Sequence, residues 1–328
     1  MTARQTYRPW DAAWRDALYG PSGFYRRPEG PAGHFRTASH ASPDVLGRAL
    51  ARLARSAGCT GVVDVGAGRG ELLAAVQRAD EGLDLLGVDV VARPAVLPAG
   101  IAWAEEAPAV MSRTLLVGWE LLDVVPCPVL EVAPGGGLRV VEVDDDGNER
   151  LAQVPTAQDL DWCERWWPGE APGERVEVGR TRDALWGDLV DRVSDGLAVA
   201  VDYGHMSGGR PRAGTLAGYR RGRQVAPVPD GTCDVTAHVA LDAVAAAAPG
   251  GHVTTQREAL GGLGVPSTRA GTSPASSDPM AHLAALASSS TSHELLDAGG
   301  LGGFGWVVHA RGERAGDYLA EWTGGEPA

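Results

Sequence analysis

The chain has 328 residues, is 44% hydrophobic and carries a formal net charge of −13. That acidity argues against nucleic acid as the main partner, because phosphate binding needs a basic patch; it suits a basic peptide or protein better. All 29 basic residues are Arg, and the four cysteines, Cys59, Cys127, Cys163 and Cys233, lie far apart with no C-x-x-C, so neither a zinc site nor a disulfide framework is indicated.

No apolar run follows the basic residues at the N-terminus, and no stretch reaches the roughly 18 apolar residues of a membrane span. The expectation is a bacterial cytoplasmic protein without a bound metal. The composition says nothing about oligomeric state.

Trp10 to Tyr19 reads as a short amphipathic helix, closed by Gly20-Pro21-Ser22-Gly23. Gly33-His34-Phe35-Arg36-Thr37-Ala38 follows, either a lid over a site or a wrap on the core. Ser42 stands as an N-cap before Pro43 and Asp44, and apolar periodicity then runs to Gly58.

The central stretch comes next. Val62-Val63-Asp64-Val65 reads as a buried strand, Gly66-Ala67-Gly68-Arg69-Gly70 as a turn, and Glu71 onward as a helix. Glycines allow a sharp turn and let a ligand approach the backbone. A strand that feeds a helix N-terminus through glycines is a nucleotide-binding crevice. The dinucleotide pattern is G-x-G-x-x-G; here Glu71 falls where its third glycine would be. Composition alone yields the shorter G-x-G-x-G spacing about 0.8 times in a chain this rich in glycine, so context must carry the reading. The context is a second strand, Leu83 to Val88, ending in Asp89, which stands where an acid that binds ribose belongs or else shapes the turn at the strand end.

Short strands are expected at Ile101–Ala104 and Thr114–Trp119, and a hairpin at 129–143 around Ala133-Pro134-Gly135-Gly136-Gly137. Helices are expected at Thr156–Trp167 and Thr181–Val193, and a core strand at 196–204 ending in Asp202-Tyr203-Gly204. Asp234–Ala248 reads as a helix with Asp234 as N-cap and His238 in its first turn. A strand at Val253–Gln256 and a helix at Arg257–Leu263 follow. Residues 267–277 read as loop, Met280–Leu286 and Ser292–Leu296 as helix, Phe304–His309 as the closing strand, and the tail from Gly312 as frayed.

In order and spacing these motifs resemble the MidA and mitochondrial complex I assembly factor 7 family of S-adenosylmethionine (SAM) methyltransferases. The resemblance rests on Gly33-x-Phe35-x-Thr37-Ala38, the glycines at 64–70, Glu120-x-x-Asp123-x-x-Pro126, Asp202-Tyr203-Gly204, Gly214-Thr215-Leu216-x-Gly218-Tyr219, Asp234-Val235-Thr236-Ala237-His238-Val239, and Gln256 before Leu260-x-x-Leu263-Gly264. It implies an α/β, Rossmann-like, seven-stranded SAM methyltransferase fold with an inserted hairpin and helical substrate region and, from the family's mitochondrial member, methylation of a protein arginine. On that reading residues 1–58 are an N-terminal helical or lid segment, and 59–126 the SAM-binding half of the core. Residues 127–195 are the insertion, 196–311 the second half, and 312–328 a tail.

The cofactor would be held by Asp64, Gly66, Ala67, Gly68, Gly70, Asp89 and Glu120. A guanidinium acceptor keeps its proton to a pKa above about 12, so carboxylates must orient it and take the proton. Glu120 and Asp123 have the spacing to share one face of a helical turn, although Asp123 could cap a turn and Glu120 could hold the SAM amino group. Asp202 either meets the substrate or shapes a turn, and His238 is either catalytic or structural. Two functions stay open at this point: an active protein methyltransferase, or a SAM-binding but inactive assembly factor.

Overall fold

Val62 and Val63, β-branched and buried, lie on an inner strand of a seven-stranded sheet. The computed structural model describes residues 6–27, 42–266 and 292–323. The expected lid at 33–38, with His34, and the expected loop and helix at 267–286 lie outside them. Contacts group the described residues into two units, each built from separated segments.

One unit comprises the described residues of Arg36–Glu120, Leu189–Val201 and Pro249–Ala328. Its sheet runs in the order His252–Thr255, Gly305–Arg311, Val193–Asp202, Met111–Trp119, Gly61–Val65, Asp84–Val88, Ile101–Ala104. The strands from Val193–Asp202 to Ile101–Ala104 are parallel, and the first two are antiparallel to each other. Leu115, Leu116 and Val117 are fully buried, as the central strand of a parallel sheet covered on both faces requires.

Pro43–Ser56 forms a helix with Leu46, Leu50 and Leu53 inward, and Glu71–Ala79 forms another with Leu73 and Val76 inward. Each such side chain contributes about 1.5–3 kcal/mol when fully buried. The two helices approach so closely that a Cβ on Gly47 would stand 2.5 Å from the Ala75 carbonyl. Gln256–Gly262 is a helix closed by a reciprocal capping box between Thr255 and Glu258. Residues 292–296 are helical, as expected. Glu313–Thr323, expected to fray, is a helix that buries Ala315 and Leu319.

The other unit comprises the described residues of Met1–Phe35 with Leu121–Asp188 and Asp202–Ala248. Helix Trp10–Tyr19 buries Trp10, Trp14 and Leu18 against Phe24, Val129 and Val141. The antiparallel pair Val129–Val132 and Leu138–Val143 forms the expected hairpin. Its loop turns on Gly136 and Gly137, both at positive φ. Arg175–Glu177 extends that sheet beside Val129–Val132, and Leu130, Trp162, Trp167, Val176 and Val178 form a second core cluster.

The stretch 234–248 corrects the sequence reading. Asp234–Thr236 is a strand paired with Ala217–Arg220, Val239–Ala240 pairs in parallel with Gly204–His205, and only Leu241–Ala245 is α-helical. His238 therefore stands between two strands, not in a helix. The segment after Glu120 is also not a helical turn: residues 121–125 form bends and a tight turn closed by Val125 N–H on the Leu122 carbonyl. Spacing thus does not set Glu120 and Asp123 on one helix face.

Candidate functional site

The glycine loop joins Gly61–Val65 to the helix Glu71–Ala79. Gly66, Gly68 and Gly70 all have positive φ, at 76°, 58° and 77°, in the left-handed region that costs other residues about 1–2 kcal/mol. Gly66 and Ala67 donate their N–H groups to the Val88 carbonyl, which ties the loop to the neighbouring strand. Gly68 donates its N–H to Asp89 Oδ2 at 2.8 Å, and Asp89 Oδ1 accepts from Val91 N–H at 3.1 Å. A Cβ on Gly70 would stand 2.5 Å from Leu97, but one on Gly68 would meet no atom within 4 Å. Gly70 thus answers to packing, whereas Gly68 borders open space.

The two acids here differ. Asp64 is buried at 3% exposure, and burial, reinforced by Asp89 and Glu71, pushes its carboxyl up to about 8. Asp89 is half-buried. Burial raises its pKa, while the N–H bonds from Gly68, Val91 and Val90 work the other way. Three N–H donors against four lone pairs leave the Asp89 carboxylate capacity for a further donor.

Glu120 follows the last residue of Met111–Trp119, and its N–H donates to the Val201 carbonyl at 2.8 Å. Its φ is 49°, an unusual value for a residue with a side chain and one that clusters at functional positions. Trp119, just before it, is a core residue whose ring meets Trp306 edge-on at 5.7 Å between centroids.

The other unit holds Asp123, Asp202 and His238. Asp202, 1% exposed, accepts at Oδ2 from Leu122 N–H (2.9 Å) and Asp123 N–H (3.2 Å). It shapes the turn, one of the two roles read for it from sequence. Asp123 is 4% exposed, with Oδ2 accepting from the Tyr203 hydroxyl at 2.5 Å. Burial pushes Asp123 up to about 6, against the opposing effects of Tyr203 and Arg182. His238 is half-buried, and burial, then Arg182, lowers its pKa. Both effects favour the neutral imidazole.

Arg182 is a residue that sequence reasoning missed. It is fully buried, and its guanidinium donates to the carbonyls of Asp123 (3.0 Å), Val125 (3.2 Å) and His238 (2.8 Å). It joins two of the expected site residues through the backbone. Glu177 is also unforeseen. It accepts from the Thr215 N–H and hydroxyl, and the Thr215 hydroxyl in turn accepts from His238 N–H. Tyr203 was visible only as the middle of Asp202-Tyr203-Gly204. Among the described residues no group of three or more His, Cys, Asp or Glu side chains could hold a metal.

A family model described as "Putative S-adenosyl-L-methionine-dependent methyltransferase" matches residues 88–257, just over half of the chain. The chain belongs to this family. The resemblance carried by the sequence motifs is thereby met. Two crystal structures from Burkholderia thailandensis are similar to this methyltransferase-family chain over 93% of its length. One, described as a "likely methyl transferase" bound to S-adenosyl-homocysteine, is 25% identical, with a TM-score of 0.78 and 88% of that chain covered. The other, a native structure of an uncharacterized protein of the same superfamily, is 26% identical, with a TM-score of 0.75 and 87% covered. No curated protein matches the chain.

Proposed function

We propose that this chain binds SAM at the Gly66–Gly70 loop and transfers its methyl group to a protein side chain, with arginine as the acceptor. The seven-stranded sheet is then read as a Rossmann-like methyltransferase core, and residues 127–195 as an insertion that carries substrate contacts. One observation carries the cofactor reading: Gly68, at positive φ, borders open space at its Cβ position while its N–H rests on Asp89. Backbone at Gly68 can therefore be approached by a ligand, and Asp89 is fixed with acceptor capacity to spare for ribose hydroxyls. Glu71 in place of the third dinucleotide glycine favours SAM over a dinucleotide.

Bound SAM supplies a methyl group already activated on a sulfonium, so positioning provides much of the rate. The chain's own residues do the rest. Glu120 and Asp123 orient the acceptor and receive its proton, Asp123 with its carboxyl pushed up to about 6 by burial. Asp202 and Arg182 hold the turn that carries Asp123. His238, as a neutral imidazole, is a further base. The net charge of −13 favours a basic protein segment over nucleic acid as the partner. No helix among the described residues is long and apolar enough to cross a membrane.

The test is transfer of labelled methyl from SAM to proteins of the cognate lysate, followed by mass spectrometry of the labelled band. Label on an arginine, absent with Gly68→Val, is the expected result. Label on nucleic acid would contradict the acceptor class. SAM binding without any transfer would leave the assembly-factor function in its place.

A further inference from the structure

Asp123 has four polar atoms, and three are committed. Its N–H donates to Asp202 Oδ2 at 3.2 Å. Its carbonyl accepts from Ala237 N–H at 3.1 Å and from Arg182 Nη2 at 3.0 Å. Its Oδ2 accepts from the Tyr203 hydroxyl at 2.5 Å. Oδ1 is buried and has no hydrogen-bond partner among the described residues, although the backbone N–H groups of Val124 and of Asp123 itself lie close enough to favour the ionised carboxylate. A buried carboxylate oxygen without a donor is costly and calls for an explanation, of which a catalytic role is one.

We propose that Tyr203 is a positioning residue: its phenol engages Asp123 Oδ2, so that Oδ1 is the acceptor atom presented to an N–H group of the methyl-accepting nitrogen. As nitrogen gains the methyl carbon, the carbon–sulfur bond of the SAM sulfonium breaks and its electron pair leaves on S-adenosyl-homocysteine; the N–H bond then breaks, its electron pair stays on nitrogen, and the proton passes to Oδ1, turning the carboxylate into a carboxylic acid. An acceptor without a donatable hydrogen, such as a carboxylate, would leave Oδ1 uncompensated. The kinetic part of this assignment rests on the methyltransferase reading; the Tyr203–Asp123 pairing does not.

The surroundings suit Tyr203 to this role. Burial, with the charges of Asp123 and Asp202, raises its pKa well beyond any working pH, so it stays a donor. The Thr236 hydroxyl acts as a donor toward the same phenol oxygen and offsets part of that rise. The Tyr203 ring also packs edge-on against His238 at 5.0 Å between centroids. The other ionisable groups around Asp123 are Arg182, Asp202, Tyr25 and Tyr219, and the last two feel its charge. Tyr25 is itself bonded to Asp234.

Infrared difference spectroscopy of protonated carboxyl groups across pH tests the pairing directly, with SAM calorimetry and single-turnover transfer measured alongside. Asp123→Asn assigns the band by deleting it. Tyr203→Phe keeps the ring against His238 but removes the donor, so the Asp123 titration should move up by roughly one unit or more, because the ionised form has lost a hydrogen bond. The acid limb of the transfer rate should move with it, while SAM affinity stays unchanged. Thr236→Val, a milder disturbance of the same hydroxyl, should shift the titration in the same direction by less. A titration unmoved in both variants, or a Tyr203→Phe loss equal at every pH, overturns the assignment. Movement of the band in a protein that transfers no methyl group upholds the pairing and places the failure in the methyltransferase reading.

Discussion

Gly68 and Asp89 are joined by a 2.8 Å hydrogen bond from backbone N–H to carboxylate, across two neighbouring strand ends. The acid expected to meet the cofactor thus also sets the shape of the loop expected to cradle it. Asp89→Ala should lose both functions. Each charge-assisted hydrogen bond removed is worth about 1.5–3 kcal/mol, so SAM should bind roughly ten- to a hundredfold more weakly. Calorimetry checks this, and unchanged affinity would remove Asp89 from the site.

Glu120 combines a left-handed backbone with a carboxylate. Glu120→Gly should relieve strain and raise stability by about 1 kcal/mol, read by urea unfolding, while transfer is lost. Glu120→Gln keeps the size without the charge. If Glu120 handles the acceptor, SAM affinity holds while single-turnover transfer falls by roughly 10²-fold. A double variant with Asp123→Asn should be little worse than either single one if the two act as a unit. Near wild-type turnover in Glu120→Gln would take Glu120 out of the mechanism.

The strand, glycine turn and helix from Gly61 to Ala79 were legible because each level points the same way: β-branched residues, then three glycines that need positive φ, then helical periodicity. Asp89 was legible from its distance past the glycines. Residues 234–248 were not, because an alanine-rich run reads as helix locally, while the pairing of Asp234–Thr236 with Ala217–Arg220 is a non-local contact. Periodicity also gives no sign that the backbone after Trp119 turns left-handed at a glutamate. Nor does it foretell Arg182, since arginine is ordinarily exposed and only the three carbonyls around it explain its burial. The last helix carried its own signal in Ala315 and Leu319, four residues apart, but a chain end biases any reading toward fraying.

Asp202 should behave as a structural acid. Asp202→Ala strands the Leu122 and Asp123 N–H groups in a buried turn, at about 1–3 kcal/mol each. The melting temperature should fall by several degrees, with a smaller drop for Asp202→Asn, which keeps an acceptor oxygen. An alanine variant that melts like wild type would contradict the role.

Asp64 gives a pH signature. Its folded pKa is about 8, against about 4 in an unfolded chain. The folded state holds the proton more tightly, so the stability from this group is full below pH about 4 and is lost as pH rises towards about 8. Asp64→Asn cannot ionise. Urea unfolding at about pH 5 and about pH 8 should therefore show a larger loss for wild type than for the variant; equal losses would mean that Asp64 is not the buried proton carrier.

Calorimetric titration of the wild-type chain and of Gly68→Val with SAM, S-adenosyl-homocysteine and NAD tests the central claim most directly. The branched side chain would project into the open space beside Gly68, at a left-handed position whose cost to a side chain of about 1–2 kcal/mol the rest of the sheet bears. The account predicts one-to-one binding of SAM and S-adenosyl-homocysteine by wild type, no binding of NAD, and no SAM binding by a folded Gly68→Val. Wild-type protein that binds NAD but not SAM, or a Gly68→Val variant that binds SAM as tightly as wild type, would contradict it.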